Sequence, residues 1–577
     1  PSDSAPVRSL ITIDFNLDLR PDLVTLHDDN QIQLWSNDGS GGLTSIAKLQ
    51  LDLDCTGMIA ADLFLVDSSN PARLRSDRET TQGEEDDLGS AVRHDTFLTL
   101  VVFGPGGLQM VQVDGRNSAS DEERLTAITT NTGLESVEGV ITAIAGDLEA
   151  DGDLDLVVST QSDGVRLFVN RGNRSFFELA GGLGEFALDD PVAGMAIADL
   201  DRDLDLDLVT VHPGSGRVGL IENLLHLQFR GRYLDEIATM SGVDSVFVED
   251  VDGNVSWDLI VGGTDQTAIV YSQTADAGAW TFERAEVSEH SGRGMIVADF
   301  DNDSWLDLVA PAESGVELSR IGPWGFQPWT PVDSASGLSE FAATDFDRDG
   351  AIDLAGVVDG SLAVRLNRTS DVGHHLDVRF KGIDDNVSGR VNHYAIGSVL
   401  ELRFGPHYRA RIVKSPYTHF GLDGFQTAGS VRAILPNGLT QTVRDPKIDS
   451  LVEEEQTLKG SCPYLYAWDG EKFVFKTDCL WAAPLGLQVA HGVVAKDRPW
   501  EYLKIDGSDI RPAEGAYEFR ITEELWEVAY FDKVAVSVVD HPAGVEVWTN
   551  EKVGPGDIAE PTIFAFASED VRPLVEA

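Results

Sequence analysis

Cysteine is scarce in this chain, with three residues in 577. A fold stapled by many disulfides, or a zinc site built from four thiolates, is excluded on that count. Basic residues are short as well: 43 Lys and Arg stand against 97 Asp and Glu, for a formal net charge of -54. A surface of that sign repels phosphate backbones and anionic lipid, so no nucleic acid is expected among the partners. No apolar run approaches the roughly 18 residues of a membrane span, so no membrane insertion is expected. Catalytic signatures are missing in turn, with no GxSxG, no P-loop and no HExxH. Glu523, Glu524 and Glu527 with Asp532 offer carboxylates for glycoside chemistry on spacing alone, which keeps an enzyme as the rival reading. Residue 1 is Pro with no leader after it, so the chain is expected to be a trimmed or excised piece.

What the chain does have is a repeat. The string DLEADGDLDLVV from Asp147 returns as DFNLDLRPDLV from Asp14, DLDRDLDLDLV from Asp199, DVDGNVSWDLI from Asp250, DFDNDSWLDLV from Asp299 and DFDRDGAIDLA from Asp345. A worn copy, ADLFLVD, begins at Ala61. The period is about fifty residues, apart from one long interval that holds an acidic, apolar-poor stretch at 67–93, read as an inserted surface loop. Helical spacing is absent, and each unit parses into four short β segments. Four strands in about 45 residues, unable to bury a core alone, is the arithmetic of a propeller blade. The expected fold class is all-β: a seven-bladed β-propeller over 1–367, followed by smaller β-sandwich-like domains at 374–460 and 461–577. A solenoid is the weaker alternative.

Carboxylates stand at positions 1, 3, 5 and 9 of each repeat, with Gly often at 6. Hard oxygen ligands at alternate positions of a tight loop suit calcium, and the spacing follows the first part of an EF-hand loop. An apolar strand follows position 9 directly, so the loop is expected to join two strands of a blade. Six loops are competent on this reading, predicting about six calcium ions. They are Asp14, Asn16, Asp18 and Asp22; Asp147, Glu149, Asp151 and Asp155; Asp199, Asp201, Asp203 and Asp207; Asp250, Asp252, Asn254 and Asp258; Asp299, Asp301, Asp303 and Asp307; and Asp345, Asp347, Asp349 and Asp353. Position 7 would add a backbone carbonyl, and Gly152 and Gly350 would permit the turn. The worn copy has Phe64 and Val66 at ligand positions, so no ion is expected there. Nothing basic is expected to be placed to offset the crowded carboxylates, and acidic turns without a cation would repel strongly.

These repeats resemble the FG-GAP/VCBS type of integrin α propellers and bacterial surface proteins. Downstream, HHLDVRFKG, VNHYAIGSVLELRFG, HFGLDG and ILPNGLTQTV resemble the ASPIC/UnbV domain of the cartilage acidic protein family, with Asn392, Ala395, Ile396, Gly397, His419, Phe420, Gly421, Leu422, Pro436 and Gly438 at pattern positions. The chain departs from that pattern in the extra residues Asp384 to Gly389 and in lacking EGF-like cysteines. The resemblance implies an extracellular, cell-surface or periplasmic location and leaves the ligand, a protein or a glycan, unnamed.

Cys55 is expected as a buried core residue. Cys462 and Cys479 lie symmetrically about Gly470 and Glu471 in a predicted β-hairpin, which would set them opposite each other at disulfide distance. The adjacent His374 and His375 should face opposite sides of a strand. EYLKID, AYEFRITEEL, AYFDKVAVSVVDH and GVEVWTNEKV are expected strands of the last region. Its tryptophans Trp468, Trp481, Trp500, Trp526 and Trp548 suit core packing or, alternatively, a carbohydrate platform.

Overall fold

The computed structural model describes residues 5–16, 18–63, 98–115, 124–171, 175–179, 191–224, 227–275, 279–313, 315–369, 372–383, 391–457, 463–479, 488–490, 493–494, 501–522, 531–549 and 562–570. Two compact units divide the chain, Pro1–Thr457 and Leu458–Ala577.

The first unit opens with seven successive antiparallel sheets, spanning 7–50, 57–128, 140–178, 194–233, 245–288, 296–331 and 339–365. They are called blades 1 to 7 below. The first five each run four strands in chain order, and the seventh has three among the described residues. Their second strands are largely apolar and buried, fully so in Asp155–Thr160 and Asp207–His212, because both faces of each sheet pack on a neighbour. Leu10 and Leu23 of blade 1 share a cluster with Phe346, Ala355 and Val357 of blade 7, so the last sheet packs on the first and the arrangement closes. The all-β propeller expectation holds, and no solenoid would bring these ends together.

In blade 2 the first strand Gly57–Ala61 pairs with Leu98–Gly104, Ala61 opposite Thr99. The acidic 67–93 stretch therefore interrupts the connection that elsewhere carries the carboxylate loop. Residues 64–97 themselves, with Phe64 and Val66, lie outside the described residues. The ladder sets Thr99 where the other six blades have the position-9 Asp.

The remainder of the first unit is a β domain of two sheets. Thr418–Asp423, His374–Lys381 and Leu451–Glu455 form one, the last pair parallel, and four strands between 399 and 444 form the other. Between the sheets lie Leu376, Phe380, Leu400, Leu402, Phe404 and Phe420. The Asn392 side chain closes the turn ahead of the second sheet, accepting from the Ile396 amide at 2.7 Å and donating to its carbonyl at 2.9 Å. A bulge between His374 and His375 corrects the expectation that these side chains diverge. Both rings reach Asp449, His374 Nδ1 at 2.8 Å and His375 Nδ1 at 3.6 Å.

The second unit is mostly β where described, with short helical turns at Gly507–Asp509 and 568–570. Tyr464–Trp468 pairs with Phe473–Asp478, giving the expected hairpin. A bulge between Leu465 and Tyr466 shifts its register by one residue, and the Cys479 amide donates to the Pro463 carbonyl at 2.6 Å. That register corrects the direct opposition of Cys479 to Cys462; Cys462 lies outside the described residues, so the proposed bond itself is not described. Cys55 is buried as expected. Phe519–Thr522 and Val545–Thr549 are strands, whereas 501–506 and 531–541 form no ladder among the described residues. Alternation makes a strand only where a partner edge is available, and Val534, Val536 and Val538 remain exposed. Of the five tryptophans, Trp481, Trp500 and Trp526 lie outside the described residues, as do Glu523, Glu524 and Glu527.

Candidate metal centre

Each carboxylate loop joins the first and second strands of its blade, as expected, and the position-9 Asp is the first residue of the second strand in all six. The loops share one backbone course. Position 6 is left-handed in every copy, at φ 70 (Leu19), 88 (Gly152), 80 (Leu204), 69 (Val255), 75 (Ser304) and 90 (Gly350). Ala150, Arg202, Gly253, Asn302 and Arg348 at position 4 are left-handed too. Glycine permits this turn at two position-6 sites, but four side-chain-bearing residues adopt it, and one is β-branched. A conformation costing about 1 to 3 kcal/mol at such a residue persists because hydrogen bonds over-determine it.

Those bonds come from the carboxylates. Position 1 accepts amides from the loop's far side: Asp147 from Asp151 and Gly152, Asp199 from Asp203 and Leu204, Asp345 from Asp349 and Gly350, at 2.8 to 3.2 Å. Asp14, Asp250 and Asp299 accept from Leu19, Val255 and Ser304. Position 5 accepts the position-7 amide, as Asp18 does from Arg20, Asp151 from Asp153, Asn254 from Ser256 and Asp349 from Ala351.

Position 9 is a structural staple as well as a candidate ligand. One oxygen of Asp155, Asp207, Asp258, Asp307 and Asp353 accepts the position-2 amide. The Oδ1 of Asp22, Asp155, Asp207, Asp258 and Asp353 accepts an amide from the third strand or just beyond it, from Asn37, Asn170, Asn223, Ser272 and Asn367. Four of these residues are asparagines whose Nδ2 donates to the position-2 carbonyl of another blade: Asn37 to Phe346, Asn170 to Leu63, Asn223 to Leu148 and Asn367 to Phe300. Sequence reasoning missed them. The available signal was an Asn recurring 14 to 16 residues after the position-9 Asp.

The loops converge unequally. Ligand oxygens of Asp199, Asp201 and Asp203 lie within 4.8 Å of one another, as do those of Asp250, Asp252 and Asp258, of Asp299, Asp301 and Asp303, and of Asp345, Asp347 and Asp353. The Asp14 and Asp147 loops, including Asn16, Asp18, Glu149 and Asp151, share the backbone course without forming such a group. Burial pushes the position-9 carboxyls up to about 8 at Asp22, Asp155, Asp258 and Asp307, to about 9 at Asp207 and to about 7 at Asp353. At position 1 it raises Asp147 and Asp299 to about 7, and Asp199, Asp250 and Asp345 to about 6. Several buried oxygens meet no donor among the described residues: Asp14 Oδ1, Asp201 Oδ1, Asp250 Oδ2, Asp299 Oδ1 and Asp347 Oδ1. Asp205, at position 7 of the blade 4 loop, is a fifth carboxylate, itself buried, that the spacing rule passed over. Buried, ionisable oxygens left without donors are what a hard divalent cation would satisfy, so the residues fit calcium.

The expectation that nothing basic offsets the carboxylates needs correction: Arg379 acts on Asp14, Arg202 on Asp199 and Arg411 on Asp250, and two further loops form direct ion pairs. Arg320 pairs with Asp301 and reaches Asp303 at 3.0 Å, while Arg368 pairs with Asp347 and Asp349. Both come from the third-strand side of their blades, about twenty residues downstream, beyond the repeat motif. Beside Arg368 a cleft of ≈ 380 Å³ is lined by Asp349, Thr369, His374, His375 and Asp449.

Residues 147–210 match the FG-GAP-like repeat family. No curated protein matches the chain. Among solved structures, BBS1N in complex with ARL6DN, soaked with lead, is 11% identical at a TM-score of 0.40, covering 64% of this chain and 95% of that one. The Cps50 (Swd1) β-propeller domain of Myceliophteria thermophila is 10% identical at 0.36, covering 63% and 96%. Within its propeller, then, the chain carries an FG-GAP-like repeat over the loops at Asp147 and Asp199.

Proposed function

We propose that this protein is a calcium-stabilised propeller scaffold that binds a protein or glycan ligand outside the cell, at its surface or in the periplasm. One observation carries the calcium: four loops gather three carboxylates each, with buried oxygens that no donor among the described residues satisfies. Bound ions would neutralise the mutual repulsion of positions 1, 3 and 5 and fix the left-handed turns; Asp201, Asp252, Asp301 and Asp347 would supply oxygens beside the position-1 residues. The loops at Asp14 and Asp147 are included because they take the same backbone course. Extracellular calcium modules work at roughly 0.1 to 1 mM, and the calcium met at the proposed location would fill loops of that affinity. Closed propellers present wide loop faces on a rigid frame, which suits recognition more than chemistry.

Calcium titration calorimetry on the chelator-stripped protein tests the proposal. Four to six sites per chain are expected, and no binding at millimolar calcium would overturn it.

A further inference from the structure

We infer that the β domain of residues 374–457 is a cap whose seating on the propeller depends on calcium in the loops beneath it. The inference rests on the calcium reading above and goes beyond it, from ion binding to the control of a domain contact.

The seat is made largely of the loops themselves. In blade 6, the Asn302 carbonyl accepts the Asp423 amide at 2.7 Å and the Asp301 carbonyl accepts the Gly373 amide at 3.0 Å. Asn302 Nδ2 donates to the carbonyls of Gly350 and Gly373, at 2.8 and 3.1 Å, which turns its Oδ1 to His419 Nε2 at 2.7 Å. Arg409 Nε donates to the Ser304 carbonyl at 3.1 Å, and the Tyr417 hydroxyl donates to Asp14 Oδ2 at 2.8 Å. Strand Thr418–Asp423 comes so close that a Cβ at Gly421 would lie 2.1 Å from Asp299 Oδ2.

The docking groups at Asn302 and Ser304 are left-handed positions, φ 58 and 75, and the carbonyl of left-handed Gly350, φ 90, holds the Asn302 side chain in place. The Asn302 and Ser304 carbonyls point at the cap only while the loop holds that course. Position-1 Asp299 and Asp345 hold it through amide bonds, with other carboxylates of the same loops crowded within 4.8 Å. Arg320 and Arg368 each set one cation against several carboxylates in these loops, and an ion removes the repulsion they leave in place, so loop order and cap seating share one equilibrium. Asn302 contributes no expected ligand oxygen, which separates seating from ion binding.

Hydrogen exchange on the whole chain, with calcium and with excess chelator, reads this directly, calorimetry supplying the ion count. Expected is exchange at strand Thr418–Asp423 slowed about tenfold or more by calcium, with the outer strand Leu43–Gln50 little changed. Asn302→Ala should keep the wild-type ion count and lose most of that calcium-dependent slowing; Asn302→Asp, which keeps the oxygen facing His419, should retain more of it. Calcium binding with equal exchange at 418–423 in both buffers would overturn the inference and leave the ion sites standing. No calcium binding would overturn both.

Discussion

The side-chain amide of Asn37 donates to the main-chain carbonyl of Phe346, 2.8 Å away and 309 residues along the chain. Its second hydrogen goes to the Pro21 carbonyl at 2.9 Å, so one buried amide ties the loop of blade 1 to that of blade 7. The bond closes the ring where no covalent link does.

Removing it should loosen that closure first. Asn37→Ala leaves two carbonyls without their donor, and at roughly 1 to 2 kcal/mol for each a loss of about 2 to 4 kcal/mol is expected. Chemical denaturation measures it. A variant as stable as the parent would mean that apolar packing alone, through Leu10, Leu23 and Phe346, holds the seam.

Chelation should destabilise the whole ring. With dissociation constants of roughly 0.1 to 1 mM, about 1 mM calcium adds about 0.4 to 1.4 kcal/mol per site. Thermal unfolding in calcium against excess chelator should show a clearly lower midpoint without the ion, and superimposable curves would show the loops to be empty. Asp250→Ala should remove one ion and part of the shift.

Arg320 gives opposite signs in the two buffers. It lies among Asp301, Asp303 and Asp307, so it competes with a cation for the same oxygens. Arg320→Ala should tighten calcium at that loop about two- to fivefold, the worth of a part-exposed ion pair, and lower stability in chelator. Weaker calcium binding in the variant would make the arginine a support of the site.

The pH dependence of the cap should follow His419. Burial works against its charge, but the hydrogen bond and charge of Asp377, 2.8 Å from Nδ1, outweigh that and hold its pKa above the usual 6.5; Asp299 and Asp345 add to the effect. His375, stacked at 5.8 Å, is instead pushed down, mainly by burial. A group raised on folding contributes stability that is fully present below its unfolded value and lost as pH climbs through the folded one. Unfolding midpoints from pH 6 to 9 should therefore fall less steeply in His419→Gln than in the parent. Equal slopes would assign the dependence to other groups.

The repeat in the sequence determined the strands, the blade size and the loop positions, because a period of about fifty residues and alternating carboxylates are local properties. It placed the candidate carboxylates on those loops as well. Only the tertiary structure decided the rest. Asn37 and Phe346 meet by ring closure, and Arg320 and Arg368 reach their loops from another strand, so neither contact leaves a trace within the motif. The bulges at His374 and Leu465 each move a register by one, which alternation cannot foretell because either register buries apolar side chains. That 418–423 lies on the loops of blade 6 was hidden for the same reason. A docking contact depends on where two separately folded surfaces meet, and pattern along the chain records only how each is built.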